Sequence, residues 1–171
     1  FQPANNNAFI FSPSEAAAIG DRPKLRIEWI PAGAANNSFR QDVNGYTGVV
    51  DTQLTQTTPT VANNSGVDLF VDFTDNATTP NATHVLLKFD DIIGTLAGQV
   101  PPGTKVYSAV LTLPGTGSGN TPGDGGSLHT MLTPWDATAS WSTFTDGVQN
   151  NGIEAAIVES ARAGNETRAP N

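Results

Sequence analysis

The 171-residue sequence contains no cysteine, and only 14% of its residues are charged. The absence of cysteine excludes disulfides, zinc–thiolate centres and thiol nucleophiles. Basic residues are also scarce, with eight Lys and Arg against 16 Asp and Glu and no basic cluster. Because binding to a phosphate backbone depends on clustered positive charge, the composition excludes nucleic acid as a partner.

Long apolar runs are missing as well. No window approaches the roughly 18 consecutive apolar residues of a transmembrane helix, so no membrane span is predicted. The sequence starts at Phe1 with neither an initiator methionine nor a charged-then-apolar leader, which predicts either a processed protein or a fragment trimmed from a longer multidomain chain. Uncharged Thr, Asn, Ser and Gly take the place of charges, as on many secreted proteins, and we expect an extracellular or cell-surface location.

Alternation of apolar and polar residues is the clearest pattern present, and it predicts strands. In Lys24–Ile30, the side chains of Leu25, Ile27 and Trp29 share one face, as in a half-buried antiparallel strand. Similar alternation predicts strands over residues 67–74 and 85–90. Further strands are predicted after the Pro-Pro-Gly turn, at residues 107–113, and over residues 128–132.

Helical signals are few. Ser12 and Glu15 have capping-box spacing, and Gly20 is placed to end a helix of at most two turns. Residues 153–160 suit a helix or a strand equally well. Many short strands between Gly, Pro, Asn and Thr turns predict an all-β jelly-roll β-sandwich with Greek-key connections and little helix.

Three segments, HVLLKFD (84–90), VPPGTKVYSAVLTL (100–113) and PWDATASW (134–141), resemble in order and spacing the DNRLRE-type domain. This family is also described as a carbohydrate-binding module family related to the disaggregatase proteins. DRPKLRI (21–27) is similar to the last strand of the family, and FRQDVNGY (39–46) to its start. The resemblance implies polysaccharide binding, which is an argument by analogy.

The order of these segments departs from the family, because the closing strand comes first. We therefore divide the chain into an N-terminal strand segment, residues 1–33, and a β-sandwich body, residues 38–171. The segment either folds back on its own body or enters the body of the next molecule, where Leu25, Ile27 and Trp29 fill the core. Because donor and acceptor are then different surfaces, the second arrangement propagates head to tail.

Two non-catalytic functions follow as hypotheses. The first is an extracellular structural protein, a subunit of a filament whose partners are copies of itself, assembled by strand complementation. The second is a polysaccharide-binding module of a secreted or cell-surface protein. An enzyme is not predicted, because His84 and His129 lie in predicted strands without a nucleophile or metal-ligand motif nearby.

Aromatic and acidic residues supply candidate binding sites. Trp135 and Trp141 could stack on a sugar ring, although packing in the core is the favoured interpretation for both and for Trp29. Asp90, Asp91 and Asp124 are candidate oxygen ligands for a structural calcium ion, against the alternative of solvated or turn-capping aspartates. No other cofactor is predicted.

Asn-x-Ser/Thr sequons are more frequent than expected. The abundance of asparagine, serine and threonine predicts about 2.7 by chance, whereas five occur, at Asn36, Asn63, Asn76, Asn81 and Asn165. These positions are candidate N-glycosylation sites on an extracellular surface, and the same residues also suit ordinary turns.

Overall fold

The computed structural model describes residues 9–30, 35–63, 66, 68–72, 81–115 and 126–162. Within these ranges the chain forms β-strands and two short 3-10 helices, at Ile19–Asp21 and Trp141–Thr143. The strands are β1 (Phe9–Phe11), β2 (Lys24–Ile30), β3 (Ala35–Phe39), β4 (Val49–Thr55), β5 (Leu69–Val71), β6 (Thr83–Phe89), β7 (Lys105–Thr112), β8 (Ser127–Leu128) and β9 (Ala161–Arg162). The prediction of an all-β fold is confirmed.

All the strand pairs are antiparallel. One sheet has the order β3–β2–β7, and the other pairs are β4–β6, β1–β5 and β8–β9. Asp72, which follows β5, exchanges backbone hydrogen bonds of 3.2 and 3.0 Å with Thr83 of β6. This contact links the β1–β5 pair to the β4–β6 pair, so β6 lies near the middle of the molecule.

Three hydrophobic clusters form the core, and β6 contacts all of them. The first cluster joins Leu54, Ala82 and Leu86 to C-terminal residues, Ala139, Trp141, Phe144, Val148 and Ala155. The second contains Phe9, Phe11, Leu69, Val71 and Val85. The third contains Ile27, Trp29, Phe39 and Val100, with Phe89 packed against it. Because successive side chains of a strand point to opposite faces, Leu86 packs on one side of β6 while Val85 and Phe89 pack on the other.

Strand prediction succeeds where the apolar period is clear and fails elsewhere. β2 has the predicted bounds, and β6 contains the predicted alternation. The predicted strand at 67–74 is described only as β5, since residues 67 and 73–74 lie outside the described residues. The strand predicted at 128–132 is wrong in its length, because β8 covers only Ser127–Leu128.

The helix predicted from Ser12 does not form. The backbone N–H of Ser12 donates to the carbonyl of Pro114 at 3.2 Å, and the Glu15 carboxylate accepts from the Ser14 hydroxyl at 2.6 Å, so the reciprocal bonds of a capping box between Ser12 and Glu15 are not made. Only the 3-10 helix Ile19–Asp21 follows. Residues 153–160 form neither a helix nor a regular strand. Of the helices in the described part of the chain, none is long and apolar enough to cross a membrane.

Candidate functional site

The N-terminal arm, which we define as residues 9–30, supplies the middle strand of a sheet. β2 pairs along its length with β7 on one side and with β3 on the other, for example Leu25 with Leu111 and with Phe39. Ile27 and Trp29 are buried in the third cluster, and Leu25 packs at its margin. Within the single chain, Ile27 and Trp29 are therefore core residues, whereas Leu25 is half-buried.

The other end of the arm completes the second cluster. Phe9 and Phe11 are buried, and their rings lie 5.6 Å apart. β1 pairs with β5, and Phe11 also forms a bridge with Gly115, next to a 3.2 Å backbone hydrogen bond from Ser12 to Pro114. The arm thus contributes large side chains to two of the three clusters.

Polar contacts join the arm to the body of the chain. Arg22 donates from Nη1 to the carbonyl of Gln41 at 3.1 Å and forms a 2.6 Å ion pair with Asp42. Asp51 accepts the Ser14 N–H, and burial raises the pKa of its carboxyl above the ordinary value, against the lowering effect of that hydrogen bond. These bonds run from the arm to the body of the chain.

The connection between arm and body is short. Residues 31–34, which lie outside the described residues, join β2 to β3, and Trp29 pairs with Ala35 on either side of them. Within the single chain, the arm pairs with β3, β5 and β7 of the same molecule.

β7 forms a strongly exposed edge of its sheet. In the described part of the chain it pairs only with β2. Its side chains are mostly exposed, and they include the apolar residues Val106, Val110 and Tyr107, the last being 76% exposed. The register with β2 shifts opposite Tyr107, between Glu28 and Trp29, which marks a β-bulge.

An apolar cleft of about 160 Å³ lies between the β2–β7 strands, β6 and the C-terminal loops. Its lining includes Leu25, Leu87, Phe89, Leu111, Leu128 and Met131. Leu87 and Phe89 are consequently only half-buried, whereas Leu86 on the opposite face of β6 is buried. The cleft is smaller than the roughly 300–1,000 Å³ of a typical small-molecule pocket. Its volume is enough for one or two aliphatic side chains.

A larger polar groove of about 570 Å³ runs beside β3. Asn37, Ser38, Tyr46 and Gln99 are among its lining residues. The Tyr46 hydroxyl donates to the carbonyl of Asp90 at 2.8 Å. Burial, and then the negative charges of neighbouring aspartates, raise the pKa of Tyr46, so its phenol is neutral and remains a hydrogen-bond donor at physiological pH.

The two candidate platform tryptophans do not share an exposed face. Trp141 is 5% exposed within the first cluster, where its Nε1 donates to Asp146 at 2.9 Å. Trp135 is half-buried, with the Lys88 Nζ 5.4 Å from its ring centroid. Trp141 is therefore a core residue, as is Trp29, and a two-tryptophan sugar platform is wrong because one of its faces is packed inside the protein.

The histidines occupy different surroundings. The His84 ring packs against Trp141 with centroids 4.8 Å apart, and burial lowers its pKa to about 4, so the ring is neutral near pH 7. Its Nδ1 has no hydrogen-bond partner within the described residues. The Nδ1 of His129 lies 2.8 Å from the carbonyl of Ala156. Each histidine is thus set among core or backbone groups rather than beside a nucleophile.

Of the three candidate calcium ligands, the structure describes Asp90 and Asp91. Asp90 forms a 2.8 Å ion pair with Lys88, Asp91 follows it with a left-handed φ of 56°, and Asp124 lies outside the described residues. A group of three or more metal-ligating side chains is not found in the part of the chain that the structure describes.

The sequons fall in several environments. Asn36 is exposed on β3, whereas Asn63 and Asn81 are half-buried. Asn76 and Asn165 lie outside the described residues. Of the three sequons that the structure describes, Asn36 is the most exposed.

Sequence reasoning missed two parts of this region. The exposed edge of β7 was not expected, because its apolar residues suggest a buried strand. β3 has almost no apolar alternation, since Asn36, Asn37 and Ser38 separate Ala35 from Phe39. The turn residues flanking it were the only available signal.

Comparisons with protein-family models, with curated proteins and with solved structures found no match for this chain. The resemblance to the DNRLRE-type domain accordingly stays a prediction.

Proposed function

We propose that this protein is a non-catalytic structural subunit of an extracellular filament, in which each copy donates its N-terminal arm to the next. One observation carries the proposal: β2 is the middle strand of its sheet, yet it belongs to an arm joined to the rest only through residues 31–34. Without the arm, β3 and β7 would lose their shared partner and two clusters would lose large side chains.

Exchange of the arm costs few contacts. Every pair that β2 makes with β3 and β7 can form equally well with the β2 of another copy, because only the connecting residues change their path. The balance between folding back and exchange then depends on the connection and on protein concentration. The dense packing of Ile27 and Trp29 would give each exchanged junction the stability of a core rather than of a surface contact.

The exchange has a direction. The donor surface is the arm, and the acceptor is the space between β3 and β7 together with the open side of the second cluster. Because these are different surfaces, each copy can donate to one neighbour and accept from another. The assembly would extend as a fibre, or close if the geometry forms a ring.

The length of the connection provides the test. Deletion of residues 32–34 would leave only Ile30 and Pro31 between the paired residues Trp29 and Ala35. A two-residue hairpin needs positive φ at one or both positions, which a β-branched residue disfavours and proline forbids. The shortened protein is expected to assemble, whereas a variant with eight Gly and Ser residues inserted after Ala32 is expected to remain monomeric.

Light scattering and electron microscopy over a range of concentrations distinguish the variants, with circular dichroism as the control for folding. Long assemblies of the shortened protein and monomers of the lengthened one support the proposal. A shortened protein that is folded and monomeric at millimolar concentration would contradict it.

Polysaccharide binding is the second candidate function, and the polar groove beside β3 is the observation that favours it. Amide and hydroxyl side chains, including Asn37, Tyr46 and Gln99, line a volume large enough for one or two sugar rings. A glycan-binding screen of the wild type and of Asn37→Ala tests this candidate. Binding that the substitution weakens would favour it over a purely structural role.

A further inference from the structure

We propose that β7 pairs with β7 of a second copy along the edge that has no partner strand in the described part of the chain. The pairing is antiparallel and about a two-fold axis, so that two three-stranded sheets become one of six strands. This interface is separate from the arm exchange proposed above and does not depend on it. It would join molecules side by side rather than head to tail.

The exposure of β7 motivates the proposal. A strand of eight residues is open along one edge in the described structure, and its backbone N–H and C=O groups on that edge can template another strand. Natural edge strands are usually short, charged, bulged or interrupted by proline. β7 has a bulge at Tyr107, but the run after it, residues 108–112, is regular and uncharged. Val106, Tyr107 and Val110 are exposed, and Lys105 is the single charge of the strand.

The charge distribution points to a second copy as the occupant. The chain has a formal net charge of −8, so most approaches of two copies are repulsive. No aspartate or glutamate occurs between residues 92 and 123, a stretch that includes all of β7. On the neighbouring β2, Arg26 and Glu28 form a 2.6 Å ion pair and cancel each other. The β7 edge is therefore a place where two acidic molecules can meet with little repulsion.

The side-chain pattern selects a register. When two identical strands pair about a two-fold axis perpendicular to the sheet, residues that lie opposite each other are on the same face. The axis then passes through one residue position, and this residue lies opposite the same residue of the second copy. Ala109 is small and exposed, and it allows close approach at the axis. This register brings Ser108 opposite Val110, in the regular part of β7 that follows the bulge. The two copies of Lys105 then lie about 27 Å apart along the strands, too far for strong repulsion.

The register is tested by cross-linking, for which the cysteine-free chain gives no background. Ala109→Cys in the full-length protein is expected to form a disulfide-linked dimer under mild oxidation at least tenfold faster than Val158→Cys. Val158 is 78% exposed on a loop, so its cysteine reports random collision. Equal rates for the two variants would overturn the proposal.

A charge on the edge gives an independent measurement. Val110→Lys brings two added positive charges close together across the axis, and it is expected to lower the dimer population at least tenfold in sedimentation. Val61→Lys adds the same charge at a similarly exposed position away from β7 and is expected to sediment as the wild type. No difference between the two lysine variants would count against the interface, and thermal unfolding of each confirms that it is folded. The lengthened connection after β2 abolishes arm exchange but leaves this dimer intact, which separates the two proposals.

Discussion

Gly147 lies directly against the indole ring of Trp141. A Cβ atom at position 147 would fall 2.8 Å from Cη2 and 2.9 Å from Cζ2 of that ring, closer than unstrained carbon atoms approach. The φ of Gly147 is +67°, a left-handed conformation that residues with a Cβ rarely adopt. The turn before Val148 therefore needs glycine both for its backbone and for the space that Trp141 occupies.

Gly147→Ala is expected to lower the free energy of unfolding by about 3 kcal/mol, because backbone strain adds to the contact with a packed ring. Gly98 also has a positive φ, but no atom lies within 4 Å of a Cβ built there. Gly98→Ala is thus the matched control and is expected to cost only about 1 kcal/mol. Chemical denaturation of both variants measures the difference, and equal losses would show that the Trp141 contact is unimportant.

Phe11 should be essential to the stability of the arm. Its side chain is fully buried in the second cluster, so Phe11→Ala is expected to cost about 3–5 kcal/mol through lost burial and the cavity left behind. Phe70 is the control. Its backbone pairs with Ile10 of β1, and the residue is 38% exposed. Phe70→Ala is expected to cost much less. Similar denaturation midpoints for both would mean that β1 does not contribute to the core.

Because of His84, the free energy of unfolding is expected to decrease in mild acid. Its pKa is about 4 in the folded protein against about 6.5 in an unfolded chain, so the unfolded state binds more protons between these values. Stability is therefore highest above pH 6.5 and falls as the pH is lowered toward 4, by about 3 kcal/mol.

His84→Gln removes this titration and serves as the comparison for the wild type. The raised pKa of Asp51 acts in the opposite direction, since its protonation favours the fold, but it is common to both proteins. Urea denaturation at pH 7 and pH 4 is expected to show a larger loss for the wild type. Parallel pH profiles of the two proteins would contradict the assignment.

Glycosylation is expected first at Asn36. Its side chain is exposed on β3, while Asn63 and Asn81 are half-buried. Peptide mapping of native material by mass spectrometry measures occupancy at each sequon. An intact mass equal to the bare 17.8 kDa chain would argue against a glycosylated surface.

The sequence predicts those strands whose two faces differ in polarity. β2 shows this contrast along its whole length, since Leu25, Ile27 and Trp29 alternate with charged residues. β4 was not predicted because Asp51, Thr52 and Gln53 are buried side by side. Their side chains form hydrogen bonds with the backbone of residues far away in the chain: Ser14, Ala139 and Phe70, respectively. Burial of polar groups depends on partners that are distant in the chain, which a local pattern does not contain.

Only part of the candidate site could be predicted, because a local sequence pattern does not contain distant packing contacts. The core role of the arm follows from its apolar face, which is visible in the sequence. The exposed edge of β7 does not, because apolar residues such as Val106 and Val110 have the same pattern whether or not another layer covers them. Whether these side chains are covered depends on where the other layers of the fold end, which the local sequence of β7 does not contain.

The pairing of β2 with β7 has a consequence for synthesis of the chain. Leu25 pairs with Leu111, which is 86 residues later in the sequence. At roughly 5–20 residues per second, a ribosome takes about 4–17 s to make this interval. β3 is made soon after β2, but the other side of β2 waits for its partner throughout that time. The three-stranded sheet can therefore be completed only when β7 has been made, seconds after β2 and β3.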